Sequence, residues 1–271
     1  MENPYQPIKA KIKKIIAETS NIKTFVLEPE ENLSFETGQF MEVTVPGLGE
    51  APFTPSSNPK DKDTLEFTIM NVGRVTKVLH NMIKDQELGV RGPYGKGYPM
   101  DKFRGKEILI VGGGVGLAPL RSLLYALFNN VEKYAKIDLR YGAKTPDEIV
   151  YKNEIDTWSE KAKNVEVTLT VDKGDKGWKG NVGVVTTILK GIKVGSNSLS
   201  IVCGPPIMMK FATLKLLELG YKPEQIYLSM EKNMSCGIGK CGHCRIGNFY
   251  ACKDGPVFSY DMIKDFENIW D

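Results

Sequence analysis

The sequence predicts a β-barrel followed by a doubly wound α/β domain with a parallel sheet and a short cysteine-rich tail. Three observations predict it: short β-branched runs in the first hundred residues, alternating strand-like and helix-like segments from residue 107 onward, and four cysteines crowded between positions 236 and 252. We expect the three regions to span residues 1–103, 104–229 and 230–271.

The amino-acid composition argues against several classes of protein. With 41% hydrophobic and 25% charged residues, the chain has the composition of an ordinary globular protein. Its net charge of +3 is too small to indicate a nucleic-acid surface. The start lacks the apolar region of a signal peptide, and the longest apolar runs are far too short to cross a bilayer. We therefore expect a cytoplasmic protein.

The first hundred residues carry strand signals separated by Gly, Pro and Asn. These strand-like runs are Ile22–Leu27, Phe40–Val45 and Leu65–Ile69. One helix is predicted over Val75–Ile83, because its apolar residues recur at helical spacing. A small barrel containing one helix is the natural architecture.

The second region alternates between the two kinds of element. The first strand, Ile108–Val111, runs into three glycines and then into a predicted helix, Leu117–Phe128. Further strand-like segments are Ile137–Tyr141, Val165–Val171, Leu199–Val202 and Gln225–Met230. Further helix-like segments are Asp147–Trp158, Val182–Leu189 and Pro206–Leu219. This alternation predicts a parallel sheet.

The cysteine-rich tail is the most specific signal. Cys236, Cys241, Cys244 and Cys252 have the spacing Cys-x4-Cys-x2-Cys-x7-Cys, and the first three match the spacing of plant-type [2Fe-2S] sites. Interleaved glycines let the backbone wrap closely around inorganic sulfur. A zinc site with four cysteine ligands is the alternative, although it more often shows two short knuckles. His243 is expected to be a bystander.

A glycine-rich turn, Gly112–Pro119, follows a strand and opens a helix, so its backbone N–H groups can face a pyrophosphate. The turn departs from the dinucleotide fingerprint, since Pro119 stands at the place of the last glycine. Cys203–Pro206 ends another strand at the edge where such sheets bind ligands. A buried structural thiol is the alternative for Cys203.

Four segments occur in the order seen in ferredoxin-NADP reductase-like proteins: Arg91–Gly95, Gly112–Pro119, Cys203–Pro206 and the cysteine tail. Across nearly its whole length the chain resembles the gamma, or diaphorase, subunits of cytoplasmic nickel-iron hydrogenases and the B-type subunits of anaerobic sulfite reductases. It is also similar to the electron-transfer subunits of dihydroorotate dehydrogenase.

The resemblance implies that the barrel binds FAD. The flavin-contacting segment corresponds to Ala51–Thr54, where Phe53 packs on the flavin ring and Thr54 hydrogen-bonds near its N5 atom. Ala51 replaces the family's arginine, so its contact is expected from Arg74 or Arg91. The pyrophosphate turn corresponds to Gly73–Thr76. The residues assigned to the flavin are Phe53, Thr54, Ser56, Thr68, Ile69, Met70, Gly73, Val75 and Thr76.

The resemblance also implies NAD(P)H binding by the second region, with Cys203 near the position of hydride transfer. Thr54 and Cys203 are the predicted catalytic residues. The assigned nucleotide-binding residues are Gly112, Gly113, Gly114, Gly116, Leu117, Pro119, Tyr141, Gly142, Lys144, Asp172, Cys203, Gly204, Pro205, Pro206 and Met208. Asp147 favours NADH, whereas the nearby Lys144 and Lys173 favour NADPH, and the balance leans to NADH.

The implied function is electron transfer. A hydride carries two electrons and an iron-sulfur cluster accepts one, so FAD must separate the pair. We expect delivery to a partner subunit that carries further clusters and a terminal catalytic site, with Phe258–Trp270 either docking that partner or packing on the chain itself. A stand-alone ferredoxin-NAD(P) reductase and a non-catalytic redox or metal sensor are the alternatives.

Overall fold

The computed structural model describes residues 3–270. This part of the chain divides into two compact units. The first comprises residues up to 98 together with 121–126 and 230–257, and the second comprises 99–120, 127–229 and the residues from 258 onward. Each unit is described separately below.

The first unit is built on a six-stranded sheet in which every neighbouring pair is antiparallel. The strand order is β4-β3-β6-β1-β2-β5. The strands are β1 (Ile8–Ala17), β2 (Ile22–Pro29), β3 (Phe40–Val45), β4 (Gly49–Phe53), β5 (Leu65–Met70) and β6 (Glu87–Tyr94).

One face of this sheet encloses an apolar core, because alternate residues of a strand point to the same side. Phe25 pairs with Phe67 and Leu27 with Leu65, and all four are at most 1% exposed. Helix α1 (Arg74–Asn81) contributes Leu79 to the same core. The predicted strands over residues 22–27, 40–45 and 65–69 are therefore confirmed, and the predicted helix begins at Arg74 and ends at Asn81.

The cysteine segment belongs to this first unit. It contains a small hairpin, β13 (Arg245–Ile246) with β14 (Phe249–Tyr250), and a single helical turn, α6 (Ala251–Asp254). Four of its glycines have positive φ: Gly237, Gly239, Gly242 and Gly247. These turns wind the chain back on itself and bring distant cysteines together.

The second unit is built on a seven-stranded sheet in the order β10-β9-β8-β7-β11-β12-β15. The pairs from β10 through β12 are parallel, which confirms the doubly wound prediction. The strands are β7 (Glu107–Gly113), β8 (Lys136–Ala143), β9 (Val165–Val171), β10 (Asn181–Val182), β11 (Ser198–Cys203), β12 (Ile226–Ser229) and β15 (Val257–Ser259). The α-helices are α2 (Met100–Phe103), α4 (Lys152–Trp158), α5 (Pro206–Glu218) and α7 (Tyr260–Ile263), together with α3 (Leu117–Phe128), of which residues 121–126 belong to the first unit.

Two helix predictions in this unit were wrong. The segment predicted as the helix Val182–Leu189 forms β10 and then a 3-10 helix, Val185–Leu189, because Gly183 takes a φ of +133° between them. The helix predicted over Asp147–Trp158 is interrupted: a 3-10 turn covers Pro146–Glu148, Tyr151 has a φ of 57°, and α4 begins only at Lys152.

The final segment packs within the second unit. Phe258, Ile263 and Ile269 are buried, whereas Met262 is exposed. Burial of these side chains agrees with the packing alternative for Phe258–Trp270. Among residues 3–270, no helix is long and apolar enough to cross a membrane.

Candidate functional site

The four tail cysteines form two pairs. The side chains of Cys236 and Cys241 are neighbours that interact, as are those of Cys244 and Cys252, and Cys236 also lies near enough to Cys252 to raise its pKa. Cys236, Cys244 and Cys252 are buried, whereas Cys241 is exposed. The fifth cysteine, Cys203, lies at the end of β11 in the other unit. The structure thus brings together the four residues that the spacing selected.

Backbone N–H groups point at these sulfurs. The Gly239 N–H donates to Cys252 Sγ at 3.1 Å, and the Lys240 N–H donates to Cys236 Sγ at 3.3 Å. Burial alone would raise the pKa of Cys236, but hydrogen bonds from the loop lower it to about 6. Burial and the Cys244 thiol raise the pKa of Cys252 to about 12. Cys236 is therefore prepared as a thiolate, the form that binds metal.

This donor set fits a two-iron cluster. A [2Fe-2S] cluster needs two thiolates for each of its two irons, which matches the pairing of the four cysteines. His243 is exposed, and its Nδ1 lies 3.1 Å from Ser235 Oγ. The bystander role of His243 stays a prediction.

Arg91, in β6, lies beside the cysteine segment. Its side chain is 2% exposed, and it donates to the Cys236 carbonyl at 3.0 Å and to the Ser235 carbonyl at 3.3 Å. Nε donates to Glu50 Oε2 at 2.8 Å, and Nη2 pairs with the other oxygen of Glu50. Because these partners occupy the guanidinium, Arg91 does not suit the flavin contact proposed for it, whereas Arg74 is exposed at the start of α1.

A second carboxyl, Glu42, lies behind Arg91. It is 0% exposed, and its Oε1 is 3.9 Å from Arg91 Nη2. In the described chain neither carboxyl oxygen of Glu42 has a hydrogen-bond partner. Burial, opposed by the charge of Arg91 and reinforced by Glu50 and Cys236, raises the pKa of Glu42 from 4.5 to about 8. Glu42 is therefore neutral at pH 7.

The predicted flavin segment ends β4. Phe53 pairs with Met41 of β3, and Phe53 and Thr54 are both half-buried. Ser56 is fully buried: its Oγ lies 3.1 Å from Thr68 Oγ1 and donates to the Glu66 carbonyl at 3.2 Å. These bonds fix the segment that follows Thr54 against β5.

The start of α1 is organised by Thr76. Its Oγ1 accepts the Gly73 N–H at 2.8 Å and the Val72 N–H at 3.0 Å. Met70 and Val75 are half-buried beside it, and Gly73 is exposed. Thr76 is thus a capping residue that shapes the predicted pyrophosphate turn. Ile69 is buried in the core, and its carbonyl lies 2.9 Å from His80 Nε2.

The predicted nucleotide segments meet at the carboxyl edge of the parallel sheet. Gly112 of β7 is the register partner of Cys203 of β11. A Cβ on Gly116 would lie 2.5 Å from the Gly204 Cα and 2.6 Å from the Cys203 carbonyl. Glycine at 116 is therefore required by backbone contact. A Cβ on Gly113 would meet Met208 Cε at 2.9 Å, so the Met208 side chain also covers this edge.

Several other predicted residues border the same edge. Gly114 belongs to a 3-10 turn that leads into α3, where Leu117 is buried and Pro119 follows. Pro205 and Pro206 are exposed at the start of α5. This edge of the sheet thus consists of glycine backbone next to exposed proline rings.

Tyr141 supports the glycine turn from β8. Its side chain is fully buried, and its hydroxyl donates to the Gly114 carbonyl at 3.0 Å and accepts the Val150 N–H at 3.4 Å. Burial raises the pKa of Tyr141 well above its ordinary value. The side chain therefore acts as a neutral support beneath the turn.

The predicted ribose-side loops run side by side. The Asp172 N–H donates to the Ala143 carbonyl and the Lys173 N–H to the Lys144 carbonyl, both at 2.9 Å. Lys144 and Asp172 are exposed, and Gly142 packs against Val185. An acid and two lysines thus share this surface.

Sequence reasoning missed Glu42, Glu50 and the contact between Arg91 and the cysteine segment. Their only sequence signal is the charge of Glu42 inside the apolar strand Phe40–Val45. Pairing it with Arg91 requires the sheet order, which local patterns do not reveal.

Three family descriptions match the chain. An oxidoreductase FAD-binding domain matches residues 7–98, and an oxidoreductase NAD-binding domain matches residues 110–213. The iron-sulfur cluster binding domain of dihydroorotate dehydrogenase B matches residues 231–264. These matches confirm the predicted cofactors, FAD, NAD and an iron-sulfur cluster.

Curated relatives extend over nearly the whole chain. Sulfhydrogenase 2 subunit gamma of Pyrococcus furiosus is 39% identical, over 95% of this chain and 96% of the relative. A probable dihydroorotate dehydrogenase B (NAD(+)) electron transfer subunit of Methanocaldococcus jannaschii is 35% identical, over 96% of this chain and 92% of the relative. These relatives confirm the resemblance to hydrogenase gamma subunits and dihydroorotate dehydrogenase electron-transfer subunits.

Solved structures share the fold. An NADH-dependent reduced ferredoxin-NADP oxidoreductase is 27% identical with a TM-score of 0.75, over 94% of this chain and 91% of that chain. The cytochrome b5 reductase domain of Ulva prolifera nitrate reductase is 22% identical with a TM-score of 0.70, over 83% and 98%. The chain belongs to the ferredoxin-reductase-like family of FAD- and NAD-binding oxidoreductases with an iron-sulfur domain, which includes sulfhydrogenase gamma and dihydroorotate dehydrogenase electron-transfer subunits.

Proposed function

We propose that this chain is the NADH-oxidising subunit of a cytoplasmic redox complex and delivers single electrons to a partner of the hydrogenase type. In this proposal residues 1–103 bind FAD, residues 104–229 bind NADH and residues 230–271 hold a [2Fe-2S] cluster. The observation that carries it is the two-and-two pairing of the cysteines in the unit that also contains the flavin-binding sheet. A nucleotide hydrolase or a simple dehydrogenase has no use for such a site.

In the flavin site, the residues of the chain would shape a surface for the flavin ring and bind the pyrophosphate of FAD. Phe53 and Thr54 would face the ring at the end of β4, with Ser56, Thr68 and Met70 beside them. After the Gly73 turn, Arg74 and Val75 present the first backbone N–H groups of α1, whose positive end suits a pyrophosphate. Exposed Arg74 would supply the cation that Ala51 lacks. Bound FAD accepts a hydride and releases electrons singly, which the protein side chains cannot do.

On the nucleotide side, the bare backbone of Gly112–Gly116 and Gly204 would let the nicotinamide approach closely, with Cys203 beneath it. Pro205, Pro206 and Met208 would exclude water from that edge. Cys203 is buried and would pack on the ring rather than exchange protons. The ribose would lie near Lys144 and Asp172.

The partner is proposed from the relatives. Two sulfhydrogenase gamma subunits of Pyrococcus furiosus are 39% and 36% identical, whereas two dihydroorotate dehydrogenase electron-transfer subunits are each 35% identical. We therefore favour a hydrogenase-type partner that carries further clusters and the terminal catalytic site.

The direct test is anaerobic purification followed by metal, sulfide and flavin analysis. We expect two irons, two acid-labile sulfides and one FAD per chain, and visible bands that bleach when NADH is added. Dye reduction should accompany the bleaching. A colourless protein with one zinc would contradict the proposal and favour the sensor alternative.

The preference for NADH is tested by comparing kcat/KM for NADH and NADPH. Replacing Asp147 with Ser removes an exposed acid, so the NADPH/NADH ratio of kcat/KM should rise about fivefold, the equivalent of ~1 kcal/mol between exposed charges. Asp156→Ser, also exposed and located on α4, is the matched control and should leave the ratio unchanged. A wild-type preference for NADPH would contradict this part of the proposal.

The partner is tested by affinity purification of the native chain. Stable co-purification of subunits that contain iron-sulfur clusters is expected. Isolation of the chain alone, with fast reduction of free ferredoxin, would instead favour a stand-alone reductase.

A further inference from the structure

The buried guanidinium of Arg91 has a role that FAD and nucleotide binding do not explain. It is enclosed by the sheet strands β3, β4 and β6, by two aromatic rings and by the cysteine segment. Its carbon centre lies 5.3 Å from the centre of the Tyr94 ring and 5.7 Å from that of Tyr5. Tyr94 in turn donates its hydroxyl to the Pro4 carbonyl at 2.8 Å. Arg91 is thus held rigidly from several sides.

Two of its donors point into the cysteine segment. The hydrogen bonds from Nη1 to the Cys236 carbonyl and from Nη2 to the Ser235 carbonyl fix the backbone that carries the first cluster ligand. The next residue, Gly237, has a φ of +76°, and a Cβ there would lie 3.3 Å from Arg91 Nη1. The segment therefore closes directly over the guanidinium.

The carboxyl groups beside Arg91 offset its positive charge only in part. Glu50 takes both Nε and Nη2 on the side of β4, and its side chain is 29% exposed. Glu42 is uncharged at neutral pH because burial raises its pKa to about 8. Arg91 is charged at any working pH, because an arginine side chain is not deprotonated in proteins. Glu50 is thus the charged carboxylate that pairs with Arg91, while the same guanidinium also reaches the Cys236 and Ser235 carbonyls.

We propose that Arg91 positions Cys236 and raises the reduction potential of the cluster, with Glu50 as the counter-charge that limits this effect. The inference rests on the cluster assigned to the four cysteines. One-electron reduction adds one negative charge at the cluster, and a fixed cation at the ligand backbone stabilises that charge. The electrons come from NADH, which loses two electrons and one proton overall as NAD⁺ forms. No bond to Arg91 forms or breaks.

The test is a redox titration of the purified holoprotein, followed by the cluster's electron paramagnetic resonance signal. Arg91→Met should disfavour one-electron reduction about tenfold, a potential about 59 mV lower. Glu50→Gln should move the potential in the opposite direction, since it removes the counter-charge while the carbonyls and Tyr94 still hold Arg91. Arg91→Lys retains the charge and should produce a smaller decrease than Arg91→Met.

The matched control is Arg121→Met. Arg121 is also a buried arginine of this unit, where it pairs with Glu66 and lies over Tyr125. Its loss should change the one-electron equilibrium of the cluster less than twofold. An equal shift in this control would show a general effect of losing a buried arginine and would overturn the proposal.

The remaining outcomes are also decisive. Shifts of the same sign in Arg91→Met and Glu50→Gln, or no shift in either with full iron content, would overturn the inference. If Arg91→Met fails to assemble the cluster, the other two variants test the inference. Glu50→Gln tests it by the sign of its potential shift, and Arg91→Lys by the size of its decrease. Wild-type protein without iron and sulfide would overturn the proposed function itself, which the metal analysis reveals before any titration.

Discussion

Two glycine-rich segments, Gly112–Gly116 and residues 236–252, are ordered in different ways. In the first, backbone lies against backbone, with Gly116 packed on Gly204 and Cys203 at the edge of a buried parallel sheet. The second has short elements and is held by N–H···S bonds, by Arg91 and by the expected iron. Glycine therefore allows close backbone packing in one segment and reversal of the chain around a charged group in the other. We therefore expect an added side-chain atom to disturb the first segment, and a change in bound metal or in pH to disturb the second.

The largest expected effect is loss of the cluster in Cys244→Ser. Cys244 is 1% exposed and pairs with Cys252, so its loss leaves one iron short of a thiolate. Iron and sulfide should fall to near zero, while FAD and its bleaching by NADH persist. Cys203→Ala, at the other segment, should keep full iron. Full iron in Cys244→Ser would end the assignment of these cysteines.

The next effect is a pH dependence caused by Glu42 beside Arg91. Its pKa is raised from 4.5 to about 8, so between these values the folded state keeps a proton that the unfolded state has lost. The free energy of unfolding of the wild type, relative to Glu42→Gln, should therefore fall as pH rises from about 4.5 to about 8. The slope is at most about 1.4 kcal/mol per pH unit. Urea unfolding of both holoproteins across this range measures it, and a rising difference would contradict it.

A smaller effect is expected from Gly116→Ala, which tests the steric segment. The added Cβ would meet backbone atoms at 2.5 and 2.6 Å, so neither neighbour can simply rotate away. Overpacking of this kind costs about 1–3 kcal/mol of unfolding free energy, and the Kd for NADH should rise with iron content unchanged. Gly195→Ala, with neighbours no closer than 3.9 Å, should cost less than about 0.5 kcal/mol.

The smallest effect is expected from Tyr141→Phe. The change removes the hydroxyl that bonds the Gly114 carbonyl and the Val150 N–H but keeps the ring. Loss of these bonds should cost about 1–2 kcal/mol in thermal or urea unfolding. The Kd for NADH should rise less than in Gly116→Ala. A larger effect on iron content than on NADH binding would contradict the separation of the two segments.

Sequence reasoning succeeded where the signal is local. A few consecutive residues are enough to recognise the cysteine spacing, the glycine turn and the apolar runs of β8, β9, β11 and β12. It failed where neighbours are remote: β4 and β6 have weak alternation, and Gly92 and Pro93 interrupt β6. The contact between Arg91 and Cys236 joins residues 145 positions apart. Such a contact depends on strand order and loop closure, which no local pattern specifies.

The unequal exposure of the two thiol pairs has a further consequence. Cys241 faces water, whereas Cys244 and Cys252 are enclosed. A cluster bound by these thiolates would therefore be reached from solvent on the Cys241 side, where both an electron acceptor and oxygen could approach it.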